Sequence, residues 1–194
     1  MLYRIAHILR DKLSWFWNII EWINSVIFYI RYGRRLKDFY FTTVPDGFSV
    51  FSIKDVPTDD LVKFFAHQPE VAYTYFRPHG FDIKSIIKLQ NNKSFLAYVL
   101  RDITNGRIAG YCFNRSFFQG KGFRGRMVDI DYRGKGLGTA MNKMLNEMGF
   151  GIGLRLFETV SKDNVPSYRS ALSASNVKVV KELPDNELYL EILP

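Results

Sequence analysis

The sequence predicts an α+β domain preceded by an extra amphipathic helix, and three observations carry that prediction. Thr104-Asn105-Gly106 stands between two apolar runs, Ser94 to Arg101 and Arg107 to Phe117, and Asn-Gly between apolar runs is a strong hairpin signal. Arg133-Gly134-Lys135-Gly136-Leu137-Gly138 joins a strand-like run, Arg126-Met127-Val128-Asp129-Ile130, to a helix-like run beginning near Thr139. Ahead of both, residues 1 to about 37 are compatible with one helix, without Pro or Gly until Gly33.

In that first helix the polar positions Arg4, His7, Asp11, Ser14, Asn18, Glu21 and Ser25 repeat at alternating steps of three and four, which makes one narrow stripe. Around the stripe lie Leu13, Trp15, Phe16, Trp17, Ile19, Ile20, Trp22, Ile23, Val26, Ile27, Phe28 and Ile30, including all three tryptophans of the chain. So broad an apolar surface calls for a cover: its own domain, a second copy in a homodimer, or an anionic membrane surface. The tryptophans and the flanking Arg10, Lys12, Arg31, Arg34, Arg35 and Lys37 suit an interfacial helix, with Trp at headgroup level and cations against anionic lipid. Asn18, Glu21 and Asn24 in mid-window argue against a transmembrane span, and no small-residue cleavage site follows Ile30. The expected location is cytoplasmic or peripheral to a membrane.

A boundary falls near Phe41 to Gly47, where Thr42-Thr43-Val44-Pro45-Asp46-Gly47 is a turn, giving residues 1–40 as a helical segment and 41–194 as the principal domain. Phe48 to Ile53 alternates as a strand, and Pro57-Thr58-Asp59-Asp60 signals a helix start before Leu61-Val62-Lys63-Phe64-Phe65. A second helix covers Asp82 to Gln90. After the hairpin, a strand from Phe123 to Ile130, a helix from Gly138 to Met148, a strand from Leu154 to Val160 and a helix from Pro166 to Ala174 follow. Val177 to Leu183 and Glu187 to Leu193 form a closing hairpin about Pro184-Asp185-Asn186. Gly149-Phe150-Gly151-Ile152-Gly153 supplies a left-handed helix cap.

With 194 residues, 47% of them hydrophobic, the chain can bury a core, and 17 Phe with 11 Tyr make it strongly aromatic. A net charge of +8 suits coenzyme phosphates, an anionic substrate or an anionic surface without choosing among them. Nucleic acid is not expected, because the basic cluster Lys121 to Arg126 lacks repeated stacking aromatics; a solvated face is the default there. Cys112, the single cysteine, lies in an apolar run and is expected to be a buried, inert thiol. His7, His67 and His79 are scattered along the chain without a supporting Cys or carboxylate pattern, so no metal is expected.

The glycine stretch is a phosphate cradle: alternate glycines let backbone approach an anion where the following helix presents unpaired N–H groups and its positive dipole end. A dinucleotide fingerprint fits poorly this late in the chain. Gly120 to Gly125 fails as a P-loop, because Arg126-Met127 stand where Lys and Ser or Thr are required. Val128-Asp129-Ile130-Asp131-Tyr132-Arg133-Gly134-Lys135-Gly136-Leu137-Gly138 resembles motif A of the GNAT acyltransferase superfamily, with its Arg/Gln-x-x-Gly-x-Gly/Ala signature. Leu156-Phe157-Glu158-Thr159-Val160, followed by Asn164 and Ser167, resembles motif B. The resemblance is specific over about Met127 to Val180, architectural from Phe48 to Arg126, and covers nothing in Met1 to Tyr40.

The resemblance implies a GNAT-like mixed, mostly antiparallel central sheet flanked by helices, and acetyl-CoA as acyl donor. Its pyrophosphate would lie over Arg133, Gly134, Lys135, Gly136, Leu137, Gly138 and Thr139; its pantetheine arm would pair with the backbone of Met127, Val128 and Asp129. Asn164 and Ser167 would meet the far end of the arm, with helix capping the alternative for Asn164. The reaction implied is N-acyl transfer to the amine of a small molecule or sugar, which needs a base, and Asp129 and Glu158 are the candidates. Two positions depart from the pattern. Ala171 stands where many members place a tyrosine acid, leaving Tyr168 as a substitute, and Ser175-Asn176 replaces the usual Gly-Phe. Two other readings therefore stand beside the enzyme: a silent acyl-CoA-binding module, and an interaction or membrane-associated protein acting through its first helix.

Overall fold

A computed structural model describes residues 14–194. The expectations placed on Arg4, His7, Arg10, Asp11, Lys12 and Leu13 lie outside the described residues. The elements follow the predicted order: α1 (Ser14–Lys37), β1 (Phe48–Ser52), α2 (Thr58–His67), α3 (Ile83–Asn91), β2 (Phe95–Asp102), β3 (Ile108–Phe117), β4 (Lys121–Val128), α4 (Leu137–Gly151), β5 (Arg155–Ser161), α5 (Val165–Ala174), β6 (Asn176–Leu183) and β7 (Glu187–Leu193). Short 3-10 turns occupy Ile53–Asp55, Glu70–Tyr73 and Ile130–Tyr132.

The strands form one seven-stranded sheet in the order β1-β2-β3-β4-β5-β7-β6. Every neighbouring pair is antiparallel except β4 and β5, whose connection through α4 makes them parallel. That parallel pairing is short, running only from Lys121 opposite Arg155 to Phe123 opposite Phe157, after which the two strands part. Loop chemistry sets the corners. Asp185 and Asn186 take φ of 62° and 60°, the left-handed pair of a type I′ hairpin turn, and both residue types tolerate it. Helix α4 ends in a Schellman motif, with Leu154 N–H on the Gly149 carbonyl and Gly153 N–H on that of Phe150. Gly149 lies inside that helix for another reason: a Cβ there would stand 2.5 Å from Leu156 on β5.

Helices α2 and α3 cover one face of the sheet, their Leu61, Phe64, Phe65, Ile86 and Leu89 packing with Phe95, Tyr111 and Phe113. Helix α4 lies on the other, where Met141, Met144 and Leu145 meet Leu100, Ala109 and Cys112. Phe28 and Tyr32 of α1 enter a third cluster with Leu96, Met148, Leu154 and Leu190. Burial pushes the Cys112 thiol up to about 12, so it is protonated and inert at neutral pH.

His79, in the loop between α2 and α3, sits among the rings of Phe65, Phe81, Phe95, Tyr111 and Phe113, so this part of the loop is packed. Its Nδ1 is 2.8 Å from the Gly80 carbonyl, which can only accept, so Nδ1 carries the proton; Nε2 then accepts from the Tyr111 hydroxyl at 2.9 Å. Burial lowers the imidazole from its ordinary 6.5 to about 4. The folded value lies below the unfolded one, so this group's stability is fully present above the unfolded value and is lost as pH falls toward the folded one. Urea unfolding is expected to lose about 3 kcal/mol between roughly pH 7 and 4 from this residue, and His79→Phe should flatten that slope.

Helix α1 meets the domain through its polar stripe, the reverse of an ordinary amphipathic helix. Asn24 Nδ2 donates to Ser94 Oγ and to the Ser116 carbonyl at 2.9 and 3.0 Å, while its Oδ1 accepts from Phe118 N–H at 3.0 Å. Ser25 Oγ accepts from Lys93 N–H at 2.8 Å, and Lys88 Nζ reaches Glu21 at 2.6 Å and Asn18 at 2.9 Å. The apolar side carrying Trp15, Ile19, Trp22 and Ile30 is left exposed.

Candidate active site

Where β4 and β5 part, a cleft of about 690 Å³ opens between them, floored by the glycine loop and the starts of α4 and α5. Gly134 and Gly136 hold φ of 74° and 78°, a conformation that costs other L-residues strain, and no heavy atom lies within 4 Å of where a Cβ would stand at either. Gly136 is the N-cap of α4. The first N–H groups of that helix, at Leu137 and Gly138, have no i−4 carbonyl and face the positive end of the dipole. The arrangement is built to receive an anion by backbone alone.

Beside the loop runs a strand edge. Gly120 offers its carbonyl to Arg155 N–H on β5, and Asp129, just past β4, gives its N–H to the Ala109 carbonyl in β3. Alternation along β4 then turns the backbone groups of Arg124, Arg126 and Val128 toward the cleft and those of Met127 and Asp129 toward β3. Of the three residues expected to pair with a ligand arm, Val128 is the one whose N–H and C=O point the right way. The expected strand also stops two residues early, at Val128. Asp129 instead caps the Ile130–Tyr132 turn, its Oδ1 accepting from Asp131 N–H at 3.0 Å.

The three expected catalytic side chains are not brought together. Asp129 is buried outside the cleft, its Oδ2 held by Gln68 Nε2 at 2.8 Å. Tyr168 packs with the cluster of Val160, Leu188 and Leu190 and does not line the cleft. Glu158 does line it, 3% exposed, but its Oε2 is the acceptor for Arg124 Nε and lies 3.5 Å from Arg126. Asn164 is the N-cap of α5, accepting from Ser167 N–H at 3.3 Å, while both residues border the cleft. Thr139 borders it as well, next to Ser170. Arg133 and Lys135 are exposed on the loop, with Lys135 over the Tyr132 ring.

Sequence reading missed the arginines of β4, which are not a solvated face. Arg124 and Arg126 project from alternate positions into the interior, where Arg124 also donates to Asn146 and Arg126 to the Ser167 carbonyl at 2.8 Å. Burial pushes both guanidinium groups below their ordinary range, and the Glu158 carboxylate opposes that. The signal was present: charges at Arg124, Arg126 and Glu158 in strands otherwise apolar on that face. On the side of the cleft toward α2, Val71, Ala72, Tyr75 and Phe76 make an apolar and aromatic wall, so part of the loop between α2 and α3 borders the site.

His67 also proves less isolated than its place in the chain implied. Its ring, Asp129 and Asp131 bring donor atoms within 4.8 Å of one another. Arg107 already occupies this cluster as its cation, 2.6 Å from Asp131 and 3.8 Å from Asp129. Arg107 first, and His67 second, hold the Asp131 carboxyl below the usual carboxylate range.

No protein-family model matches the chain, and no curated protein matches it in sequence. Solved structures do match its fold. The GNAT domain of S. lividans PAT superposes with a TM-score of 0.64 at 13% identity, covering 74% of this chain and 88% of that one. Ribosomal-protein-S5-alanine acetyltransferase from Vibrio fischeri gives 0.64 at 16% identity, over 79% and 93% of the two chains. An aminoglycoside acetyltransferase in complex with coenzyme A and kanamycin gives 0.55 at 16%, over 74% and 93%. The chain therefore has a GNAT-like fold, a mixed sheet with a glycine loop at its parting strands.

Proposed function

We propose that this protein is an acyl-CoA-dependent N-acyltransferase, with acetyl-CoA as donor and the amine of a small molecule or sugar as acceptor. The observation that carries the reading is the meeting, in one cleft, of an open glycine cradle at a helix N-terminus and a strand edge with unpaired backbone groups. The amides of Gly134 to Gly138, with Arg133 and Lys135, hold the pyrophosphate. The edge at Val128 and Arg126 pairs with the amides of the arm as an added strand, and Asn164 and Ser167 border its path. The bound donor supplies a thioester carbonyl that an amine attacks once it has lost its proton. Arg126, locked between Ser167 and Glu158, keeps the wall of the cleft rigid beside that point. We assign Glu158 to positioning the arginines, because its Oε2 is committed to Arg124; Asp129 and Tyr168 do not reach the cleft. The coenzyme A and kanamycin complex of the aminoglycoside acetyltransferase supports this donor and acceptor class.

A second reading, donor binding without turnover, is favoured by the fully buried Ala171 and the packed Tyr168, which leave no tyrosine of α5 in the cleft. Release of free thiol from acetyl-CoA, followed across a panel of amino sugars and simple amines, separates the two. Amine-dependent release supports the enzyme. Donor binding without release from any amine supports the silent module.

A further inference from the structure

We infer that the outer face of α1 docks on an anionic lipid bilayer, with the helix axis lying in the plane of the membrane surface. This rests on α1 alone and does not depend on the acyl-CoA reading.

One side of the helix is satisfied by the domain. Asn18, Glu21, Asn24 and Ser25 are bonded to Lys88, Lys93, Ser94, Ser116 and Phe118, so the polar stripe holds the helix flat on the domain. Phe28 and Tyr32, on the same side, enter the core. Among the described residues, nothing on the domain covers the opposite side. Trp15, Trp22 and Ile30 are 61%, 67% and 78% exposed, and Phe16, Ile19 and Ile23 lie between them. Contiguous apolar surface of this kind marks a partner or a membrane.

Charge and residue type choose the membrane. At one hundred degrees per residue, Arg34 and Lys37 fall on the same side as Trp15, Ile19 and Ile23, so the free face ends in exposed cations. Neither has a carboxylate partner among the described residues, and Glu21, the one acid of α1, is turned inward onto Lys88. The whole chain carries +8. A face with Trp and Ile along its length and cations at its end complements anionic headgroups, with indoles at the interface and the aliphatic residues just below. No described helix is long and apolar enough to cross a membrane, so α1 lies on the bilayer rather than through it.

The test is flotation of the full-length protein with vesicles of phosphatidylcholine alone and of phosphatidylcholine with phosphatidylserine, at low and high salt, beside sedimentation without lipid across a concentration series. The proposal expects a monomer that floats with the anionic vesicles and floats less in high salt. Trp22→Glu and Ile30→Glu should each cut partitioning about tenfold or more. Both side chains are exposed, so unfolding midpoints should stay unchanged, which separates lost docking from lost fold. Arg34→Glu with Lys37→Glu should remove the preference for anionic lipid. A protein that stays at the bottom of the gradient with anionic vesicles at low salt overturns the proposal. So does a dimer that Trp22→Glu dissociates, because a second copy would then cover the face.

Discussion

Arg124→Ala is expected to destabilise the fold by about 3–5 kcal/mol, the usual cost of breaking a buried ion pair from one side. The Arg124 side chain is fully buried, its Nε bonded to Glu158 and its Nη1 to Asn146. Removal leaves the Glu158 carboxylate, itself 3% exposed, with Arg126 at 3.5 Å as its remaining cation. It also leaves the Asn146 amide oxygen short of its donor and opens a cavity between α4 and the sheet. Thermal unfolding should fall by roughly 10 °C for a chain of this size. Comparison of two single variants gives the discriminating form: Glu158→Leu should cost more than Arg124→Met, since it strands both Arg124 and Arg126 without a carboxylate, whereas Arg124→Met leaves Glu158 beside Arg126. Equal costs for the two variants would show that packing, not charge pairing, dominates there.

Gly136→Trp is expected to abolish acyl-CoA binding, by a factor of about a hundred or more, while leaving a folded protein. Gly136 holds φ of 78°, lines the cleft and has open space where a Cβ would stand, so a bulky side chain there is expected to compete with the donor for the cradle. The left-handed backbone costs the variant about 1–2 kcal/mol. Gly136→Asn is the control, because Asn accepts the left-handed region and its side chain is short. Titration calorimetry should show binding retained, if weakened, in Gly136→Asn and lost in Gly136→Trp. Equal affinity of Gly136→Trp and the parent protein would place the donor somewhere other than this loop.

The parts of the fold legible in the sequence were those written locally. Asn105-Gly106 and Asp185-Asn186 stated their turns, and Arg133 to Gly138 stated a strand-to-helix junction with an anion cradle. What local patterns could not state was direction and partnership. The stripe of α1 was visible, but a narrow polar stripe does not say whether it faces water or protein; Asn24 faces protein because Ser94, Ser116 and Phe118, 70 to 94 residues away, offer matching groups. Arg124 and Arg126 belonged to a basic run until Glu158, 34 residues after Arg124, was brought beside them by the parallel pairing of β4 and β5. Asp129 looked like a strand-end base because the strand was drawn two residues too long, and its carboxylate serves the turn instead.

The central claim is that the cleft between β4 and β5 takes an acyl-CoA, and thermal unfolding of the purified protein with and without acetyl-CoA tests it most directly. At a hundredfold excess over its Kd the donor should add about 2.7 kcal/mol, a rise of roughly 5–10 °C. That rise, absent in Gly136→Trp, is the predicted result. An unfolding midpoint that acetyl-CoA leaves unmoved at millimolar concentration would contradict the account, leaving a GNAT fold whose working part is the exposed face of α1.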